Sequence, residues 1–175
     1  MAALVYLVET LLSLALFAFL LRLLLQWVRA DFRNPLARAV VQITSPVLVP
    51  LRRLLPAIGR FDTASGVAVV VLVLAETAAA PLLRAGELAP LPTWGLLALF
   101  ELLRTILWTF FFSIFLYALL SLIAPGTYSP AQSMLASLAE PVLRPFRRII
   151  PPLGGLDLSP LWAIILIQAL LILLH

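Results

Sequence analysis

Two arginine pairs, Arg52-Arg53 and Arg147-Arg148, each follow a proline by two residues. A pair of guanidinium forks can grip a lipid phosphate or a partner's carboxylate through two parallel hydrogen bonds. The plainer role is a topology anchor at the membrane interface. Asp62 and Asp157 each lie ten residues beyond the first arginine of a pair. An aspartate ahead of a helix caps its backbone and complements its dipole, worth about 1 kcal/mol. It can also fold the segment back by pairing with those arginines. A second group, Glu9, Arg22, Glu76, Glu101 and Arg104, interrupts apolar stretches. A charge near a bilayer centre costs several kcal/mol unless it is paired or hydrated, which makes each a candidate. Arg22, Glu101 and Arg104 can snorkel to an interface, whereas Glu76 sits near the middle of a short stretch. Enzyme chemistry lacks parts: the chain has no cysteine and one histidine, His175. No thiolate nucleophile, metal cluster or Ser-His-Asp set can be assembled from that inventory. No nucleophile–base pair stands at a telling spacing and no phosphate-cradling glycine loop is present. The expectation is a protein that is not an enzyme, with no cofactor and no metal.

The elements that must position these residues are helices in lipid. Of 175 residues, 63% are hydrophobic and 11% charged, against about half and a quarter in a soluble domain. The apolar residues lie in blocks, which predicts four spans at about 3–28, 66–83, 98–124 and 158–174. The apolar stretch containing the third span starts near Trp94, which is too long for one upright span, so its beginning lies along the interface or extends past the bilayer. The first stretch has no positive n-region and outruns a signal-peptide core, so it reads as a retained helix. All twelve basic residues are arginine. Beside hydrophobic spans they signal orientation and lipid contact, and no direct nucleic-acid contact is expected. The first connection holds Arg29, Arg33, Arg38, Arg52, Arg53 and Arg60, the third holds Arg144, Arg147 and Arg148, and the middle one holds Arg84 alone. By the positive-inside rule, loops 29–65 and 125–157 face the cytoplasm and both termini lie outside.

The chain also repeats itself. A shift of 95 places Pro46, Pro50 and Pro56 on Pro141, Pro145 and Pro151, the first arginine pair on the second, and Asp62 on Asp157. Two spans per copy make this a parallel duplication, with repeats at 1–90 and 91–175. Asn34-Pro35 and Ser129-Pro130 read as N-caps followed by a proline at the first helical position. Short interfacial helices are predicted to run from there to Ser45 and Glu140. The prolines that follow should forbid regular helix beyond, leaving loops that lie on the membrane or re-enter it. The fold expectation is an all-α membrane protein: four transmembrane helices as two parallel repeats, each a helix, a basic interfacial or re-entrant loop, and a helix. Glu9 and Arg104 occupy equivalent repeat positions, which suggests an ion pair between them. The small residues of the second span, Ala68, Ala78 and Ala79 among them, suit close helix packing inside the chain or in an oligomer.

The motif residues resemble the YggT family, also called YlmG, of small integral membrane proteins with two tandem repeats. They are Arg22, Trp27, Thr44, Pro46, Leu48, Pro50, Arg52, Arg53, Pro56, Gly59 and Asp62, and in the second half Pro141, Leu143, Pro145, Arg147, Arg148, Pro151, Gly154, Asp157 and Ser159. The copies differ where Ala64 stands against Ser159, Thr44 against Ala139, Arg22 against Tyr117 and Trp27 against Leu122. The resemblance implies a membrane factor, with relatives linked to osmotic or potassium tolerance, to bacterial division-cluster genes and to plastid nucleoid distribution or cytochrome assembly. Two functions are carried forward. The first is a non-catalytic scaffold or assembly factor in a bacterial inner (plasma) membrane, whose two cytoplasmic loops bind lipid headgroups or an unidentified membrane protein. The second is a component of an ion or osmotic-stress-related transporter or channel that works as a homo-oligomer.

Overall fold

The computed structural model describes residues 2–55, 57–58, 62–123, 129–150 and 157–174. Pro56 and Pro151, expected to shape the loops, lie outside the described residues, as do Gly59 and Gly154. The described residues form six helices: α1 (Ala2–Trp27), α2 (Pro35–Leu54), α3 (Thr63–Ala85), α4 (Leu91–Ile123), α5 (Pro130–Ile149) and α6 (Ser159–Leu173). Three of them, α1, α3 and α4, are long and apolar enough to cross a membrane. The fourth apolar helix, α6, has 15 residues, about 22 Å at about 1.5 Å per residue, against a hydrocarbon core of about 30 Å. The 33-residue α4 is one continuous helix of about 50 Å, longer than a bilayer core, as its extended apolar stretch implied.

The prolines overturn one expectation. α2 and α5 do not stop at Ser45 and Glu140; each continues for 20 residues through two internal prolines, Pro46 and Pro50 in α2 and Pro141 and Pro145 in α5. An internal proline removes one N–H and crowds the carbonyl four residues back. In α2 the carbonyl four residues before Pro46 is that of Gln42, and the side-chain donors fall one residue earlier. The Val41 carbonyl accepts from Arg22 Nη1 at 3.2 Å and from Ser45 Oγ at 2.5 Å. All four prolines are exposed, so their rings project away from the packed side of each helix. Much of each basic segment that was expected to be an interfacial or re-entrant loop is therefore an amphipathic helix, α2 in one and α5 in the other.

The helices sort into two compact units, Met1–Leu23 with Val40–Thr105, and Leu24–Ala39 with Ile106–His175. In the first unit the buried residues include Leu16 and Leu20 of α1, Leu48 of α2, and Ala64, Ala68, Val69 and Val73 of α3. The small residues Ala78 and Ala79 are buried too, which accounts for part of the small-residue face by packing within the chain. Asp62 precedes α3 in extended conformation, and Gly86 ends it at φ 70° with its N–H on the Leu82 carbonyl, a left-handed turn that glycine adopts without strain. In the second unit Ile114, Ala139, Leu143, Ala163, Ile167 and Leu171 form one apolar cluster joining α4, α5 and α6. Ser129 caps α5 by accepting from Gln132 N at 3.1 Å, with Pro130 next. Asn34 caps α2 by accepting from Leu36 N at 2.9 Å, and its Nδ2 donates to the Pro130 carbonyl at 2.6 Å.

Candidate functional site

Each arginine pair ends an amphipathic helix, where positive charge complements the helix dipole. In the first unit Arg52 turns back to Asp62. Its Nη2 donates to Oδ2 at 2.5 Å and its Nε to Oδ1 at 3.3 Å, a two-pronged clasp. The Asp62 side chain is only 4% exposed, whereas that of Arg52 is 45% exposed. Ser65 Oγ, fully buried, donates to Asp62 Oδ2 at 2.6 Å. Burial pushes the Asp62 carboxyl up, but the hydrogen bonds from Arg52 and Ser65 outweigh it and hold the group below the usual carboxylate range.

The second unit rebuilds the clasp with other parts. Arg147 Nε donates to Asp157 Oδ2 at 2.8 Å, and its Nη1 donates to Glu140 Oε2 at 2.7 Å. The Asp157 side chain is 41% exposed, and its Oδ1 accepts from Ser159 N at 2.9 Å. Burial raises Asp157, and the bonds from Arg147 and Ser159 bring it below its ordinary value. Burial lowers Arg147, and hydrogen bonding to Asp157 and Tyr117 raises it overall. Both Asp residues thus pair with the first arginine of their own segment, the fold-back role, in addition to standing at helix starts.

The second arginine of each pair is left over. Arg53 and Arg148 are exposed. The described side-chain hydrogen bonds and ion pairs engage Arg52 and Arg147 and leave Arg53, Arg144 and Arg148 unengaged. The two arginines of a pair are therefore not equivalent: one holds the fold and one faces outward.

Arg22, expected to snorkel, is instead buried at 5% exposure. Its Nη1 donates to Thr44 Oγ1 at 2.6 Å and reaches the Val41 carbonyl. It thereby ties the end of α1 to α2 just ahead of Pro46. Tyr117, its counterpart by repeat register, bonds Arg147 instead. Where a Glu9–Arg104 pair was anticipated, Arg104 Nη1 bonds Glu101 at 2.9 Å, one helical turn away, and Glu9 lies 3.9 Å from Arg84. Glu76 accepts from Ser13 through Oε1, while its Oε2 is buried with no hydrogen-bond partner among the described residues. Trp94 Nε1 donates to Thr77 Oγ1 at 3.0 Å, one residue from Glu76. The sequence reading missed Ser65 and Ser13. Ser65 sits three residues after Asp62, and that helical spacing was the available signal, whereas Ser13 meets Glu76 from a distant helix and carried no local one.

Fold and site together define an all-helical protein with membrane-length apolar helices and a duplicated Pro-x-Arg-Arg clasp. The chain belongs to the CCB3/YggT family, whose model matches residues 1–83 and 96–175, one segment for each copy of the motif. It is 39% identical over 170 residues to an uncharacterized protein of Pseudomonas aeruginosa, covering 95% of this chain and 85% of the relative. It is 36% identical over 170 residues to the uncharacterized protein YggT of Escherichia coli strain K12, covering 97% and 88%. An uncharacterized protein of Haemophilus influenzae is 29% identical over 161 residues, covering 88% and 81%. No solved structure matches the chain.

Proposed function

We propose that this protein is a non-catalytic scaffold or assembly factor of a bacterial inner membrane, working through its two duplicated amphipathic helices, α2 and α5. In this reading α1, α3, α4 and α6 all cross the bilayer, in two parallel repeats, with α6 completed by the residues flanking it. Arginine counts favour the cytoplasmic side for α2 and α5. The observation that carries the reading is the division within each pair: Arg52 and Arg147 lock their segments to Asp62 and Asp157, while Arg53 and Arg148 stay exposed. A segment rigidified by an internal ion pair and holding a free cation outward is suited to recognition and offers no reacting group. The test is affinity purification from the native membrane of the parent beside an Arg53→Gln/Arg148→Gln variant. A stoichiometric partner that is lost with the folded variant supports recruitment. Identical retention by both forms excludes these arginines as the recruiting groups.

A second reading, a transporter or channel component acting as a homo-oligomer, draws support from Glu76. Its buried Oε2 has no hydrogen-bond partner among the described residues, so a proton or cation from outside would complete it. The test is ion flux into vesicles holding the purified protein. Flux that falls with Glu76→Gln supports this reading, and flux no greater than in empty vesicles removes it.

A further inference from the structure

In the first unit α2 presents three faces. Thr44 and Leu48 are buried against the protein at 0% exposure. Ile43, Val47 and Leu54 form an exposed apolar stripe at 71%, 54% and 78%, continued by the exposed Pro50. Gln42 and Arg53 mark a third exposed row, shared with Pro46 and with Val49 at 52%, turned from the first by about 120° on a helix of about 3.6 residues per turn. Such a three-way division fits a helix held at a boundary of protein, lipid and water. Its placement agrees: Arg22, near the end of α1, and Asp62, at the start of α3, both fasten it to the same end of the unit. In the second unit α5 repeats the buried and polar faces but has a shorter apolar one, because Leu138, the counterpart of Ile43, is buried at 1% and Val142, the counterpart of Val47, is half-buried. Ala139 and Leu143 are buried, Ile149 is 79% exposed, and Ser133, Ser137, Arg144 and Arg148 define the polar stripe.

We infer that the cations left free by the two clasps, Arg53 in α2 and Arg144 with Arg148 in α5, bind the phosphates of anionic phospholipids while the apolar stripes of these helices rest among the acyl chains. The inference rests on the reading of α2 and α5 as the working surfaces and names the ligand as lipid. Charge complementarity selects it. Among the described residues these guanidiniums have no carboxylate partner, whereas the other arginine of each pair has one. An apolar stripe beside the cationic one matches a headgroup above acyl chains, where a soluble acidic protein would leave the apolar stripe uncovered.

The experiment is native mass spectrometry of the purified full chain in detergent, titrated with phosphatidylglycerol or phosphatidylcholine. The parent should retain phosphatidylglycerol preferentially. The preference should fall by about fivefold for each arginine removed in Arg53→Gln, Arg144→Gln and Arg148→Gln, and survive replacement by Lys. Arg52→Gln/Arg147→Gln should lower the melting temperature; the three free-arginine variants should not. A preference unchanged in the triple Gln variant overturns the lipid assignment. If that same variant loses a stoichiometric protein partner in native pull-down, the scaffold reading stands and its ligand is protein. If the lipid preference falls while a partner is retained, the lipid assignment holds and recruitment lies elsewhere.

Discussion

Asp62→Asn should destabilise the protein by about 2 kcal/mol, and Asp157→Asn by under about 1 kcal/mol, although the two residues are equivalent in the repeat. The difference follows from their surroundings. Asp62 is 4% exposed and takes both prongs of Arg52 along with the hydroxyl of the fully buried Ser65. A hydrogen bond to a charged group contributes about 1.5–3 kcal/mol, and the half-exposed Arg52 discounts its share toward the lower end. An asparagine there turns an amide N–H₂ toward a guanidinium or the Ser65 hydroxyl proton, so one acceptor is lost inside the protein. Asp157 is 41% exposed, Arg147 keeps Glu140, and an asparagine oxygen can still accept from Ser159 N. Thermal unfolding in detergent, followed by tryptophan fluorescence, measures both. A double-mutant cycle of Arg52→Gln with Asp62→Asn should show coupling of about 1–2 kcal/mol. The pH dependence has a definite sign. Asp62 has a folded-state value below its unfolded one, so its stabilisation is complete above the unfolded value of about 3.9. It is lost as pH falls from there through the folded value. Asp62→Asn should therefore shallow the acid limb below about pH 4 and leave the slope near pH 7 unchanged. Equal costs for the two substitutions, or additivity in the cycle, would refute the argument that burial and redundancy set the clasp's strength.

Arg22→Gln should cost about 2–3 kcal/mol, since it removes a buried charged donor from Thr44 and the Val41 carbonyl. Hydrogen exchange should accelerate at residues 41–48 before it does elsewhere in α2, and unchanged protection there would show that the prolines need no such support. Pro141→Ala should raise stability by about 1 kcal/mol, because it restores an N–H in a continuous helix and removes an exposed ring. A fall in melting temperature would mean that the proline fixes a geometry the helix needs. Trp94→Phe should cost about 1 kcal/mol through loss of the bond to Thr77, read from the same melts; no change would place that bond among the energetically silent ones.

Helix positions were legible because their signals are local and strong. The apolar blocks located α1, α3, α4 and α6 to within a few residues, and the Asn34-Pro35 and Ser129-Pro130 signatures marked where α2 and α5 begin. The course of those two helices past Pro46 and Pro141 was not legible. The local rule that proline ends a helix is overridden by tertiary packing, and Arg22, which fastens α1 to α2 just ahead of the first proline, is far away in sequence. Ion pairing followed the same division. Arg52–Asp62 and Arg147–Asp157 join residues ten apart and were foreseeable as a fold-back. The partners of Glu9 and Arg104 depended on which helix faces meet, which repeat register alone does not specify.

The repeats keep the clasp and exchange everything that supports it. In the first, Arg22 holds Thr44 and a buried serine hydroxyl secures the aspartate. In the second, Tyr117 stands in place of that arginine and bonds Arg147. Glu140 occupies the position equivalent to Ser45 and takes the other prong of Arg147. Each solution is closed on itself: an arginine at 22 needs the neutral hydroxyls of Thr44 and Ser45 as acceptors, and a carboxylate at 140 needs the second fork of Arg147. Moving one part alone would disturb the partners of the others. Placing Glu at position 45 would set a carboxylate beside Arg22 and draw it from the Val41 carbonyl that it supports ahead of Pro46. The free arginine is outside both exchanges. Arg53 and Arg148 touch none of the replaced groups, so the outward cation persists in each repeat while its scaffolding differs. The two amphipathic helices can therefore differ in stability, as Asp62 and Asp157 do in burial, and still present the same charge at the same place.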